Sequence, residues 1–310
     1  MIRRVFWQAV WFYRRKLRGA RRIKGRVLDV GSGNAPFPRA DILAEKFLVD
    51  DSNRIGGQPM LFAGPVVACD AEALPFRSGS FDFAVCSHLI EHVDHPDLVL
   101  SELSRVAKAG YIECPNEDYD KLDTPGYHRW FASLEDDTLV LRQKSEATFD
   151  EGVKDLVHKT LYADTGFWSA FWRHLDRFFV MLSWEGQINY RVEYLDLPDG
   201  TPGSAQRSCF DDSSWVAEHG FAVPEDSLAG ATVPKRGSAL AEAFWKLLRR
   251  LARGTSPEID WRSVVVCPAD HGDLDEADAE LTCQTCGKTY AICDDVPVLI
   301  SFPATSPDSQ

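Results

Sequence analysis

The stretch RVLDVGSGNAPF, residues 26–37, decides the fold. Its first half is a short apolar run with β-branched valines, and it stops at Gly31-Ser32-Gly33. Such a run reads as a strand, and glycines directly after it let the backbone turn tightly beside a ligand. Four comparable runs follow: KFLVDD (46–51), PVVACDAE (65–72), FDFAVCSH (81–88) and GYIECPN (110–116). Between the last two, Pro96–Lys108 spaces Leu98, Leu100, Leu103 and Val106 as one face of a helix. Strands alternating with helices predict an α/β, doubly wound, mostly parallel sheet.

The turn also restricts its ligand. Pro36 stands where a dinucleotide loop needs its third glycine, and Asp29 would repel phosphates while accepting a hydrogen bond from an ammonium group. The second run ends in Asp50-Asp51, where a carboxylate can bridge ribose hydroxyls; the third ends in Asp70-Ala71-Glu72, suited to an adenine amino group. Taken singly, each acid is as readily a solvated strand end. Amine, ribose and adenine in this order describe S-adenosylmethionine (SAM).

With VLDVGSGN, FLVDDSN, DAEALPFRSGSFDFAVCSHLIEHV (70–93) and GYIECPN, the chain resembles the class I SAM-dependent methyltransferases that share a compact core. The resemblance covers residues 26 to about 135. It implies a seven-stranded-type Rossmann-like sheet, with Asp29, Gly31 and Gly33, and Ser32 between them, lining the methionine moiety. It further implies Asp50 or Asp51 on the ribose, Asp70 and Ala71 on the adenine, and Ser87 and His88 as the methyl-side wall.

Acceptor-side groups are expected at the carboxyl ends of the fourth and fifth strands: His88, Glu91 and His92, then Glu113, Asn116, Tyr127, His128 and Trp130. His128 is the favoured base or hydrogen-bond donor, with Tyr127 and Trp130 as a platform and Asn116 on the substrate. His92, in HLIEHV, is either catalytic or the start of the next crossover helix. No N-P-P-Y type motif of base-modifying enzymes follows the fourth strand, and no Cys sits where a nucleophile attacking a pyrimidine would be. The expected acceptor is a hydroxyl or carboxyl on a small molecule or lipid-linked glycan; similar chains with GYIE-P and HRW segments are associated with surface-glycan pathways. A tRNA-directed enzyme and a non-catalytic SAM-binding scaffold are the alternatives.

Residues 264–300 (VVVCPADHGDL…LTCQTCGKTYAICDDVPVLI) resemble the small zinc-ribbon-like protein that activates several tRNA and translation-factor methyltransferases. The resemblance implies a zinc site at Cys267, Cys283 and Cys286. Asp270 stands where the pattern has its second Cys, so Asp270, His271 or Cys293 is left to complete a tetrahedral set. Fused in cis, this unit is expected to shield an apolar flank of the catalytic sheet.

The formal net charge of −13 over 310 residues divides into +10 over residues 1–26 and −23 over the remainder. An acidic body argues against a broad nucleic-acid surface. The basic, aromatic start is expected to lie on a membrane surface or to pack over the SAM pocket. Scattered cysteines and the lack of an apolar run of 18 residues suggest a cytoplasmic chain, peripheral to the membrane at most. The expected organisation is a basic helix at 1–25, the methyltransferase domain at 26–195, a linker at 196–258 with a helix at 238–253, the zinc-ribbon-like domain at 259–303, and a tail at 304–310. Leu240, Phe244, Leu247, Leu248 and Leu251 form the apolar stripe of the linker helix, expected to pack on the catalytic domain. The runs at 177–184 and 187–195 are expected to form an antiparallel hairpin.

Overall fold

The computed structural model describes residues 23–48, 60–123, 126–145, 151–195, 239–253 and 258–300. The basic start (1–22), Asp50, Asp51 and most of the 196–258 linker lie outside them. In chain order the elements are β1 (Val27–Val30), β2 (Ile42–Glu45), β3 (Val66–Cys69), β4 (Phe83–Ser87), α1 (Pro96–Val106), β5 (Ala109–Pro115), α2 (Glu117–Asp123), β6 (Trp130–Glu135) and β7 (Thr138–Gln143). They continue with α3 (Glu151–Lys159), α4 (Thr165–Arg173), β8 (Phe179–Glu185), β9 (Tyr190–Glu193) and α5 (Ala239–Arg253). The last four are β10 (Leu274–Ala277), β11 (Glu280–Cys283), β12 (Thr289–Cys293) and β13 (Val296–Leu299).

One ten-stranded sheet runs β10-β11-β12-β13-β3-β2-β1-β4-β5-β8, and β6-β7-β9 form a second, smaller sheet. From β13 to β5 the pairs are parallel; β8 closes one edge antiparallel to β5. Every residue of β1, β2 and β3 is buried, which explains why these strands read as continuous apolar runs rather than as an alternation. Helix α1 begins at Pro96, whose missing N–H costs nothing in a first turn, and buries Val99, Leu100, Leu103 and Val106, while Leu98 stays exposed.

Four features differ from the sequence reading. Strand β2 is Ile42–Glu45, upstream of KFLVDD. The Asp41 carboxylate accepts from Val27 N–H (2.8 Å) and Arg39 Nη1 (2.9 Å), fixing the chain beside β1 as soon as the short 31–41 crossover ends. That crossover is irregular, with glycines and prolines throughout, so the sheet is less fully doubly wound than expected; α1 is the clear crossover helix among the described residues. Residues 177–195 do not form a hairpin: β8 pairs with β5, whereas β9 pairs in parallel with β7. Val180, Leu182 and Trp184 are drawn into the main core, and Gly186, at φ +73°, turns the chain away.

The fourth difference concerns α5. Trp245 and Leu248 pack on Leu61 and Ala63, Arg249 Nε donates to Ala40 O (3.2 Å), and Arg253 pairs with Asp41. These contacts set the helix rotation, so much of the expected stripe faces outward: Phe244, Leu247 and Leu251 are 45%, 54% and 54% exposed. Helix α5 thus covers the crossover that has no helix of its own.

The C-terminal unit shares the main core. Val298 and Leu299 of β13 pair with Ala68 and Cys69 of β3, and Trp261, Val264, Val265, Leu281 and Tyr290 join the cluster built on Leu28 and Ile112. Its docking therefore continues the sheet at the β3 edge, which would otherwise present unpaired backbone groups.

Candidate active site

A cleft of about 310 Å³ opens at the carboxyl ends of β1–β4, where open parallel sheets bind ligands. Gly31 and Val30 form its floor, Glu45, Lys46 and Phe47 follow β2, Asp70, Ala71 and Glu72 follow β3, and Leu89, His92, Val93 and Asp94 follow β4; Gly126, Tyr127 and Arg129 close the far side. Gly31 sits at φ +72°, and a Cβ there would come within 3.0 Å of the Leu89 side chain. Only glycine leaves that wall bare at low cost.

Of the residues expected to bind the cofactor, Gly31, Asp70 and Ala71 line the cleft. Asp70 caps the turn after β3 by accepting from Glu72 N–H (3.0 Å) and pairs with Lys46 (3.0 Å). Asp29 lies behind the turn instead: its carboxylate accepts from Phe37 N–H (2.6 Å) and braces the irregular crossover. Ser32 and Gly33 are likewise turned away, both donating to Glu45 Oε1, Ser32 Oγ at 2.8 Å. Ser87 ends β4 and His88 follows it, both outside the cleft lining. His88, left-handed at φ +57°, donates its N–H to Glu113 O (2.7 Å) and sets its ring edge-on to Phe179. Such backbone in a non-glycine residue is strained and is held by its surroundings.

Glu45 is the residue that sequence reasoning missed. It is an acid at the end of the second strand, the position assigned to Asp50 or Asp51, and it ties the glycine turn to β2. Its signal was present in DILAE, an apolar run ending in an acid.

At the acceptor end, His92 and Tyr127 stack (5.4 Å, 22°), and His128 meets the His92 ring edge-on (4.7 Å). His128 Nδ1 lies 2.9 Å from Asp120 Oδ1, and Lys144 pairs with the same carboxylate. The contact with Asp120 fixes the orientation of the His128 ring and leaves Nε2 on its far side. Burial, above all, brings His92 down to about 4, so it is neutral near pH 7. Burial raises the carboxyl of Glu91, which is 1% exposed, but the His88 ring beside it and, in their protonated forms, His92 and His128 bring it down to about 2.

Two expected substrate residues have other work. Trp130 is buried, donates its Nε1–H to Val93 O (2.7 Å) and meets Tyr194 edge-on, so it is core and not a platform. Asn116 caps α2 by accepting from Tyr119 N–H (2.9 Å) and donates Nδ2 to Arg177 O (2.9 Å). Tyr127 is exposed and lines the cleft.

In the C-terminal unit, Cys267, Asp270, Cys283 and Cys286 place one donor atom each within 4.8 Å of one another. His271 and Cys293 are not part of this group. Cys267 and Cys286 sulfurs are 3.7 Å apart, and Cys283 Sγ lies 3.3 Å from Asp270 Oδ1. The Gly272 N–H holds the Asp270 carboxyl down at about 2.

Residues 28–112, spanning β1 to β5, match the family model described as a methyltransferase domain. The ubiquinone/menaquinone biosynthesis C-methyltransferase UbiE of Burkholderia mallei is 33% identical over 97 residues, which is 28% of this chain and 40% of the relative. The chain therefore spans well under half the length of the curated relatives it matches. Among solved structures, a SAM-dependent methyltransferase of Thermotoga maritima, described as a possible histamine N-methyltransferase, is 23% identical over 42% of this chain and 69% of its own, with a TM-score of 0.31. The [4+2]-cyclase SpnF is 15% identical over 57% and 82%, also at 0.31.

Proposed function

We propose that this chain is a SAM-dependent methyltransferase acting on an oxygen nucleophile of a small-molecule or lipid-linked glycan-type acceptor. The observation that carries this reading is the cleft over β1–β4 inside the matched methyltransferase domain. The residues present fit SAM: bare backbone at Gly31, an acid at the end of β2, and the polar Asp70-Ala71 edge. When bound, SAM supplies a methyl group already activated on a sulfonium. The chain's part is to exclude water, aim the acceptor and accept its proton. His128, oriented by Asp120, and neutral His92 are the groups placed for this.

A second reading, methylation of a carbon atom, is favoured by the UbiE relative, whose name describes a C-methyltransferase. Incubation with labelled SAM and panels of glycolipids, small hydroxylated compounds and total tRNA tests both, with product NMR separating O–CH3 from C–CH3. An O-methylated product is expected; label on carbon would establish the second reading, and label on tRNA would overturn both.

The Cys267/Asp270/Cys283/Cys286 group fits zinc. Two thiolates at about 2.3 Å from one tetrahedral ion lie about 3.8 Å apart, close to the observed 3.7 Å. Its role is structural, holding β10–β13 against β3. About one zinc per chain is expected on elemental analysis, and under about 0.2 would remove the assignment. The basic residues 1–26 supply contact with an anionic membrane, which vesicle co-sedimentation tests.

A further inference from the structure

The acceptor end of the cleft holds a second group of metal-ligating side chains. Glu91, His92 and His128 each present one donor atom, all within 4.8 Å of one another. Glu91 and His92 follow β4, and Arg129 N–H donates to Glu91 O (2.7 Å), which holds the segment carrying His128 against them. Neither Glu91 carboxylate oxygen has a hydrogen-bond partner, and neither has His92 Nδ1. Glu91 is 1% exposed, with His88 Nδ1 at 3.3 Å in ion-pair reach but without hydrogen-bond geometry. A buried carboxylate without hydrogen bonds costs several kcal/mol unless something cationic compensates it.

The second layer points the same way. His128 is held through Nδ1 by Asp120, itself paired with Lys144. A carboxylate behind an imidazole is the arrangement that orients metal-bound histidines and raises their basicity. Two imidazoles and one carboxylate suit a first-row divalent ion with open coordination positions better than magnesium or calcium.

We infer that Glu91, His92 and His128 bind a divalent first-row transition ion at the acceptor end of the cleft, and that the acceptor is a catechol or vicinal diol whose oxygens take the open positions. This substrate class rests on the O-methyltransferase reading; the metal site does not. A hydroxyl on such an ion loses its proton near neutral pH. The oxygen lone pair then forms the new C–O bond while the S–CH3 bond of SAM breaks, its electrons stay on sulfur, and the hydroxyl proton goes to solvent. The ion stays divalent throughout. His128 is a ligand in this account, and the ion takes over the activating role that a base would otherwise have.

The full chain, stripped with EDTA, is titrated with Mn2+ alone and followed by loss of the free-ion EPR signal. Manganese discriminates between the two sites because oxygen and imidazole suit it and thiolates do not. One Mn2+ per chain is expected, undiminished in Cys283→Ser. Glu91→Gln should abolish saturable binding, and Asp120→Asn should weaken it by about 10-fold or more. Circular dichroism confirms that each variant is folded. No saturable Mn2+ binding by the folded wild-type chain, or equal binding by folded Glu91→Gln, overturns the site. SAM calorimetry on the same sample separates the two accounts: SAM binding without Mn2+ binding ends this inference and leaves the methyltransferase reading intact. Mn2+ binding without SAM binding does the reverse. If both bind but Mn2+ does not raise turnover of catechol over its monohydroxy analogue at least 10-fold, the substrate class falls.

Discussion

Replacing Glu45 tests how the glycine turn is held. Glu45 is 6% exposed, and its Oε1 receives both the Ser32 hydroxyl and the Gly33 N–H. Hydrogen bonds to a charged group contribute about 1.5–3 kcal/mol each. Glu45→Ala removes both and strands two donors, while relieving the desolvation of one buried carboxylate. The net expectation is a loss of about 2–4 kcal/mol. Glu45→Gln keeps an acceptor at nearly the same place and should lose about 1–2 kcal/mol. Because Gly31 adjoins this linkage, SAM affinity should fall at least about tenfold in Glu45→Ala, equivalent to about 1.4 kcal/mol. Urea denaturation and calorimetric titration with SAM measure the two effects. Glu45→Ala with stability within about 0.5 kcal/mol of wild type and unchanged affinity would refute the role of Glu45.

Leu299 is fully buried where β13 meets β3, so Leu299→Ala should cost about 2–4 kcal/mol in urea denaturation; a cost below about 1 kcal/mol would mean that the C-terminal strand is not part of the core. Asp41→Asn leaves Arg39 and Arg253 without their buried partner; a loss of about 3 kcal/mol and faster tryptic cleavage near α5 are expected. Burial pushes the Cys69, Cys86 and Cys114 thiols up, so a thiol reagent at pH 8 should spare them in the native chain and reach them only after denaturation. His128→Ala should reduce turnover by about 100-fold with SAM affinity unchanged; a normal rate would remove His128 from the acceptor side.

The parallel core was legible because burial on both faces writes itself into sequence as unbroken apolar runs, as in VLDV and VVAC. The strand-two error has the same origin. DILAEKFLVDD is apolar almost throughout, and what selects 42–45 is a tertiary contact, Asp41 on Val27 N–H. Helix α5 was legible as a helix but not in its rotation, which Arg249 and Arg253 set through contacts with residues about 200 positions away. Trp130 and Asn116 show the same limit at the site. An aromatic or amide beside polar residues reads as a binding group until the structure supplies its partner, Val93 O for one and the α2 N-terminus for the other. The Asp120–His128 contact was not visible either, because Asp120 lies in an acidic run that reads as solvated surface.

The most direct test of the central claim is calorimetric titration of SAM into the full chain, beside Gly31→Val. A Val at φ +72° is strained and drives its branches against Leu89 at the cleft wall. Binding of one SAM per wild-type chain, lost in a folded Gly31→Val variant, is the predicted result. No binding by the wild type, or equal binding by the variant, would contradict the placement of the cofactor in this cleft.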